Sequence, residues 1–411
     1  MDRLLSVPQK VTARVSAHWI INRRMDLAWF IGGAGAAYAL FFVHAGLGWD
    51  MVGIWFVWVV LLDSPHFFST ISRTFFDRQE LQERRRLLLG SLAWYLAGPA
   101  AVGLAWALYA LDVAAYQRPW HLFLIFFGLW AYWHIVRQHY GFLRLYQKKN
   151  DDTHPLDARL DSALLYGGLL LPFLVFIIRH PDVRVQLGLS ETLPLYPALP
   201  EAGRLAALVD PSYLGALAWE HWVVAVSAAL VGTLAIAFVL RQVLRVQEGE
   251  KINGPKMLFL LAVVPLHVYV CFSPAVLTAS LLAFSAFITI YHDIQYHAIV
   301  WFHHRNRYHR PGVNQRQYGL APKVSKNLLT YFGCGIFFAL IFRLLGCTFD
   351  VHPGCIPFVI SSDVQLFGAI HTDALLKGFM LGFPLQHYFI DQFIWKTSKS
   401  KALRKDLKLE D

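Results

Sequence analysis

The chain has 411 residues, of which 56% are hydrophobic and 16% are charged. A soluble globular protein carries roughly 25% charged residues, so this composition excludes that class and predicts a polytopic membrane protein. The formal net charge of +10 fits lysines and arginines in cytoplasmic loops. We expect no nucleic-acid partner, because the sequence shows no aromatic–basic nucleic-acid motif.

The chain begins with a basic segment, residues 1–26, which lacks the apolar core and cleavage site of a signal peptide. The predicted transmembrane helical domain follows over residues 27–395, with an irregular outer loop at about 180–221, and a charged tail occupies 396–411. A spanning helix needs about 20 mostly apolar residues. On that length we expect about ten spans, at 27–46, 51–71, 87–111, 120–138, 162–179, 222–246, 257–274, 276–300, 328–346 and 365–395. The predicted fold class is all-α, a transmembrane helix bundle.

Basic residues precede the first predicted span and follow each even-numbered span, whereas the loops between hold few of them. Lysine and arginine mark the cytoplasmic side of a membrane protein. We therefore expect both termini to be cytoplasmic and the protein to lie in a bacterial inner membrane. Cys347 and Cys355 share one outer loop, and whether they pair depends on an oxidising compartment.

Eight histidines lie at or just beyond the cytoplasmic ends of even-numbered spans. Imidazole is the commonest protein ligand for iron, copper and zinc, and ionisable groups at membrane depth are costly enough to be candidates for function. The eight predicted metal ligands are His66, His134, His139, His292, His297, His303, His304 and His387. The nearby carboxylates are predicted to support these ligands or add to them, and they are Asp63, Asp293 and Asp391. Candidates for contact with a lipid headgroup or an anionic substrate are Arg137, Tyr140 and Arg144.

The spacing of the histidines favours a metal site with more than one ion. Helical positions seven or eleven residues apart nearly coincide around the axis. His292 therefore shares a stripe with His303, and His297 shares one with His304. His134 and His139 differ by roughly 140° around the axis. This arrangement suits a dinuclear centre on the cytoplasmic side better than one compact tetrahedral zinc site.

These motifs resemble the membrane-bound non-haem di-iron family of desaturases, alkane hydroxylases and carotenoid or sterol oxygenases. His134 and His139 match the family's His-x3-4-His box in form, His303 and His304 supply an adjacent pair, and His292 begins another two-histidine box. The nearest histidine before His303 lies six residues earlier, and the predicted spans outnumber the family's usual four to six. The chain also looks like the multi-span carotenoid-cleaving dioxygenases of bacteria. The first resemblance implies two iron ions, and the second implies one.

The sequence predicts an oxidoreductase that uses O2 to hydroxylate, desaturate or cleave a lipid-like substrate drawn from the bilayer. Electrons would come from a separate donor (a reductase, ferredoxin or cytochrome), because the sequence has no Gly-x-Gly-x-x-Gly motif and no cysteine set for a cluster. Two other functions stay open. One is a haem-binding electron-transfer protein with histidine axial ligands, and the other is a transporter for a metal or an organic anion.

Overall fold

A computed structural model describes residues 14–187, 219–347 and 364–409. These residues are mainly helical. The long helices, in chain order, are α1 (Arg23–Gly46), α2 (51–74), α3 (Arg85–Ala110), α4 (Arg118–Lys149), α5 (Pro155–Arg179), α6 (Trp219–Gln247), α7 (Gly254–Phe272), α8 (Leu281–Tyr308), α9 (Leu328–Cys347), α10 (Thr372–Met380) and α11 (Gly382–Ile394). Most of the predicted outer loop lies outside the described residues, as does Cys355.

Short elements connect the long helices. Four short α-helices are Arg78–Glu83, Pro181–Gln186, Pro274–Leu277 and Ala321–Val324, and a fifth, Lys401–Asp406, closes the chain. Two 3-10 turns span Gln315–Tyr318 and Thr397–Lys399. Strands β1 (Arg14–Ser16) and β2 (Lys251–Asn253) pair in parallel, and β3 (Gln365–Phe367) pairs antiparallel with β4 (Ile370–His371). With strands this short, the architecture is all-α, as predicted.

Six of the described helices are long and apolar enough to cross a membrane, and with the composition they indicate an integral membrane protein. They are α1, α3, α4, α5, α6 and α7. The predicted spans at 51–71, 276–300 and 328–346 correspond to α2, α8 and α9, of which α9 contains a shorter apolar stretch, Leu328–Phe342. The predicted span at 365–395 is divided among β3, β4, α10 and α11. The count of ten spans and the cytoplasmic termini therefore stay predictions.

The chain forms two compact units. Of the described residues, those within Met1–Arg23 and His139–Ser285 form unit 1, and those within Arg24–Gln138 and Ala286–Asp411 form unit 2. In unit 1, α6 and α7 both pack against α5. The buried Lys256 Nζ lies 2.6 Å from Asp152 Oδ2 and 2.8 Å from Asp161 Oδ2, so the charges buried there compensate one another.

In unit 2, α2 packs against α9 and α11, and α3 packs against α10. The crossing of α3 and α10 depends on two glycines. A Cβ atom added to Gly98 would lie 2.3 Å from the Gly378 Cα atom, and one added to Gly378 would lie 2.9 Å from the Gly98 carbonyl carbon. Because neither residue has a side chain, the two backbones touch. Close approach through small residues is a common way for apolar helices to associate in membranes.

Helix α2 is interrupted by a π-helical turn, Val59–Asp63, which ends two residues before Pro65. Proline has no N–H to donate to the preceding turn, and a π turn is one way in which a helix accommodates the missing bond. Such turns often occur at functional sites. The turn changes the rotation of the following residues about the helix axis. His66, directly after Pro65, is one of these residues.

Candidate metal centre

Four of the eight predicted ligands come together inside unit 2. His66 comes from α2, His134 from α4, His292 from α8 and His387 from α11, and one ligand nitrogen from each lies within 4.8 Å of the other three. All four side chains are buried. Among the described residues, this four-histidine cluster is the one group of three or more potential ligands with such spacing. A set of convergent, buried imidazoles can hold a metal ion.

Two nitrogens of the cluster lie within hydrogen-bond distance of each other. The Nε2 atoms of His134 and His387 are 3.1 Å apart, and their ring centroids are separated by 4.7 Å. Metal–nitrogen bonds are about 2.1 Å long, so one ion can bind two nitrogens at this separation. Without an ion, one ring would have to donate a proton to the other.

A carboxylate fixes the orientation of His66. Its Nδ1 atom lies 2.7 Å from Asp293 Oδ1, while Trp58 donates from Nε1 to Asp293 Oδ2 at 3.0 Å. With the proton held on Nδ1, the lone pair of His66 lies on Nε2. That atom is buried and has no hydrogen-bond partner among the described residues. A carboxylate–histidine pair of this kind is the usual support of a metal-binding imidazole.

Burial of Asp293 supports a cation in the same place. The side chain is fully buried, and in the described part of the chain its partners are Trp58 and His66, with no lysine or arginine in ion-pair range. An isolated buried carboxylate is costly. Asp63, at the end of the π turn, lies near enough to add a second negative charge to its surroundings. A metal ion on His66 Nε2 would offset both charges.

His387 has a comparable support made of a hydroxyl group. Its Nδ1 atom lies 2.7 Å from Thr70 Oγ1, so a proton on Nδ1 is donated to that oxygen and Nε2 remains available as a ligand. Asp391 Oδ1 accepts from the Tyr296 hydroxyl at 2.8 Å and from Thr70 at 3.2 Å. Thr70, Tyr296 and Asp391 therefore form one hydrogen-bond network, which reaches the cluster at His387.

Packing holds the remaining two members of the cluster. The ring of His134 stacks on Tyr388 with centroids 4.6 Å apart, and it meets His292 at 4.9 Å. Gln138 donates to the His292 carbonyl at 2.9 Å, which ties α4 to α8 one turn away from the rings. These contacts fix the relative rotation of the two helices.

The structure uses His297 differently from its neighbour in sequence, His292. His297 Nε2 lies 3.0 Å from the Leu62 carbonyl, inside the π turn, and Nδ1 lies 3.1 Å from the Tyr331 hydroxyl. With Nε2 donating and Nδ1 accepting, both ring nitrogens are occupied. His297 thus supports the distorted turn of α2 that precedes His66.

The other three predicted ligands are not members of the cluster. His303 and His304 lie near the end of α8, with ring centroids 5.8 Å apart. His139 belongs to unit 1, where its ring lies 5.4 Å from that of His267. The sequence therefore named all four cluster members, but it grouped them with four histidines that the structure does not bring to the same point.

The predicted headgroup contacts have protein partners. The Arg137 guanidinium lies 5.8 Å from the Trp133 ring. In unit 1, Tyr140 stacks on Tyr166 with centroids 5.2 Å apart, and Arg144 donates to Gln147 at 2.6 Å. A role of these side chains in binding an anionic group stays a prediction.

Sequence reasoning missed the hydroxyl groups that surround the cluster. Thr70 follows His66 by four residues, and Tyr296 follows His292 by four, as Asp391 follows His387. Residues four apart lie on one helix face. A polar residue one helical turn after each of these three ligands is therefore a signal that the sequence contains.

An apolar groove of about 550 Å³ opens on the surface of unit 2 beside the cluster. Aromatic side chains of α3, α4 and α11 line it, among them Trp94, Trp130 and Phe389. The Trp130 ring lies 6.3 Å from Tyr388, which stacks on His134. The groove wall is thus in contact with a side chain that touches a candidate ligand. Its aromatic lining suits contact with an apolar chain.

The comparisons with known proteins assign no family. The chain matches no protein-family model, no curated protein and no solved structure.

Proposed function

We propose that this chain is an integral membrane oxidoreductase with a histidine-ligated non-haem iron ion, which acts with O2 on an apolar substrate from the bilayer. The observation that carries the proposal is the convergence of four buried imidazole nitrogens within 4.8 Å of one another. Iron at this position would supply the redox chemistry of O2 activation. The substrate would be hydroxylated, desaturated or cleaved on the cytoplasmic side, with electrons from a separate donor protein.

The donor set restricts the metal. Imidazole nitrogens suit iron, copper, zinc and nickel, whereas thiolates would favour zinc or iron–sulfur clusters, and the cluster contains no cysteine. The proposal is for one ion in the four-histidine cluster. A second ion of a di-iron centre would need His303 and His304, which lie beyond the cluster, because His297 is occupied by Leu62 and Tyr331.

The protein's own groups have defined roles in this proposal. Asp293 and Thr70 hold the Nδ1 protons of His66 and His387, so that each ring presents Nε2. Burial of the four-histidine cluster keeps bulk water away from the metal, so that water does not compete with the substrate for the oxidant. The aromatic groove beside His134 holds the apolar chain of the substrate.

Haem is a weaker candidate on geometric grounds. Two axial histidines of one haem bind opposite faces, so their nitrogens are about 4 Å apart, twice an ordinary metal–nitrogen distance. The macrocycle must also fit between them. The Nε2 atoms of His134 and His387 are only 3.1 Å apart. A transporter remains the other alternative, although ligands fixed by a carboxylate and a hydroxyl favour a resident ion over one in transit.

Metal analysis of the purified chain tests the proposal. Protein prepared in detergent without chelator should contain about one iron ion per chain and show no Soret band. Reduced protein supplied with an apolar substrate should consume O2. Zinc in place of iron, or a Soret band, would contradict the proposed chemistry.

A further inference from the structure

A second polar site lies along the same helices as the four-histidine cluster. Arg73 follows His66 by seven residues on α2, which places it on the same face about 10 Å along the axis. His303 follows His292 by eleven residues on α8, again on nearly the same face. Arg73 and His303 therefore lie further along the two helix faces that carry His66 and His292. Both belong to unit 2.

Arg73 is a buried cation with no carboxylate within ion-pair distance among the described residues, although Glu80 and Asp391 lie near enough to act on it through their charges. Its side chain is 1% exposed. Nη2 donates to the Ile394 carbonyl at 2.7 Å, and the guanidinium carbon lies 3.5 Å from the centre of the Trp395 ring. Nε and Nη1 are buried, and neither has an acceptor in the described part of the chain. Buried charges are normally paired, so this arginine indicates that an anion belongs here.

Arg307, a second buried arginine of unit 2, is paired with carboxylates. Arg307 donates from Nε to Asp77 at 2.9 Å, and its Nη1 lies 3.3 Å from Asp406 Oδ2. Its charge is therefore compensated within the protein. Arg73 and Arg307 both act on His303 and His304 through their charges, but of the two arginines only Arg73 has no described carboxylate within ion-pair distance.

Two histidines add unused polar atoms to the same region. Both ring nitrogens of His304 are buried without a hydrogen-bond partner among the described residues, and so is Nδ1 of His303. His303 Nε2 lies 3.7 Å from Asp406, and the His303 ring lies 6.0 Å from the Trp395 ring on which Arg73 stacks. Each neutral imidazole has one N–H to donate. The region thus offers several donors around a buried guanidinium that has two nitrogens without an acceptor and no ion pair among the described residues.

We propose that Arg73, His303 and His304 form an anion site for an oxyanion group, either a small free carboxylate or phosphate or the carboxylate end of a lipid. A metal cation is disfavoured there, because the Arg73 charge would repel it. An oxyanion neutralises the arginine and accepts from the imidazoles. The network of Thr70, Tyr296 and Asp391 lies between this site and the metal centre.

Thermal unfolding of the full chain in detergent, with formate, phosphate or laurate against chloride at constant ionic strength, tests the site. The metal state is kept constant, so the result does not depend on the proposed oxidoreductase function. We expect an oxyanion to raise the unfolding temperature of the unmodified protein. Arg73→Gln and His304→Gln should each weaken the apparent affinity about tenfold, the loss expected for one hydrogen bond to a charged group.

Arg86→Gln is the matched control, since Arg86 is an exposed arginine on α3. It should leave the anion effect unchanged. Protection by formate or phosphate identifies a free anion, whereas protection by laurate alone identifies the end of a lipid. The proposal is overturned if chloride protects as well as the oxyanions do, or if His304→Gln retains the full effect. It is equally overturned if His304→Gln lowers the metal content, because the histidine would then be a metal ligand.

Discussion

The Nδ1 atom of His66 lies 2.7 Å from Oδ1 of Asp293, and this contact joins α2 to α8 inside unit 2. It sets the tautomer of the imidazole and directs Nε2 into the four-histidine cluster. Because Trp58 holds the other carboxylate oxygen, the carboxylate cannot rotate without losing a second hydrogen bond. The orientation of one candidate ligand thus depends on two residues outside the four-histidine cluster.

Asp293→Asn tests this support. The amide removes the negative charge that favours a proton on His66 Nδ1, so Nε2 becomes a poorer ligand. We expect the affinity for the metal to fall about 10- to 100-fold, as is usual when such a partner is lost. Competition with a chelator of known affinity measures the change. An unaltered affinity would show that Asp293 does not support a metal ligand.

His66→Ala and His297→Ala separate ligation from structural support. His66→Ala removes an Nε2 atom of the cluster, and we expect metal content to be lost. His297→Ala leaves the Leu62 carbonyl without its partner, so we expect a loss of stability of about 1–3 kcal/mol with most of the metal retained. Elemental analysis and thermal unfolding of both variants provide the comparison. Equal metal loss in the two variants would contradict the separate roles.

Gly98→Ala and Gly103→Ala test the crossing of α3 and α10. A Cβ atom at Gly98 would lie 2.3 Å from the Gly378 backbone, whereas one at Gly103 meets no atom within 4 Å. We expect Gly98→Ala to destabilise the protein by about 1–3 kcal/mol or more through overpacking. Gly103→Ala, on the same helix, should be neutral or stabilise by about 0.5–1 kcal/mol through the higher helix propensity of alanine. If the two variants unfold alike, the helices do not cross at Gly98.

Asp406 links stability to pH at the end of the chain. Burial raises the pKa of its carboxyl group even though Arg307 lies 3.3 Å away. A raised pKa in the folded state means that protonation favours folding. This contribution is fully present below the pKa of an unfolded aspartate, about 4, and is lost as pH rises through the folded value.

Asp406→Asn carries no charge at any pH, so it lacks this dependence. The unfolding temperature of the unmodified protein, relative to that of the variant, should therefore fall as pH rises from below 4 towards neutrality. Tryptophan fluorescence during heating measures the unfolding temperature of both proteins. Asp112→Asn, at an exposed aspartate, is the control. If the difference in unfolding temperature between the two proteins is the same at every pH, protonation of Asp406 is not coupled to folding.

The sequence by itself determined the class of the protein and the pool of candidate ligands. Hydropathy and residue type are local properties, so they identify apolar helices and the histidines at their ends without knowledge of packing. His66, His134, His292 and His387 were all in that pool. The supporting residues were also accessible in part, because Thr70, Tyr296 and Asp391 each follow a ligand by one helical turn.

Only the tertiary structure decided which histidines converge. His292 and His297 lie five residues apart on α8 and looked equivalent in sequence, yet one joins the cluster and the other bonds the Leu62 carbonyl. That outcome depends on how far each helix is rotated about its axis, which packing and the π turn before Pro65 control. Spacing along one helix cannot supply this rotation, because it depends on contacts with residues distant in the chain, such as the contact between His66 and Asp293.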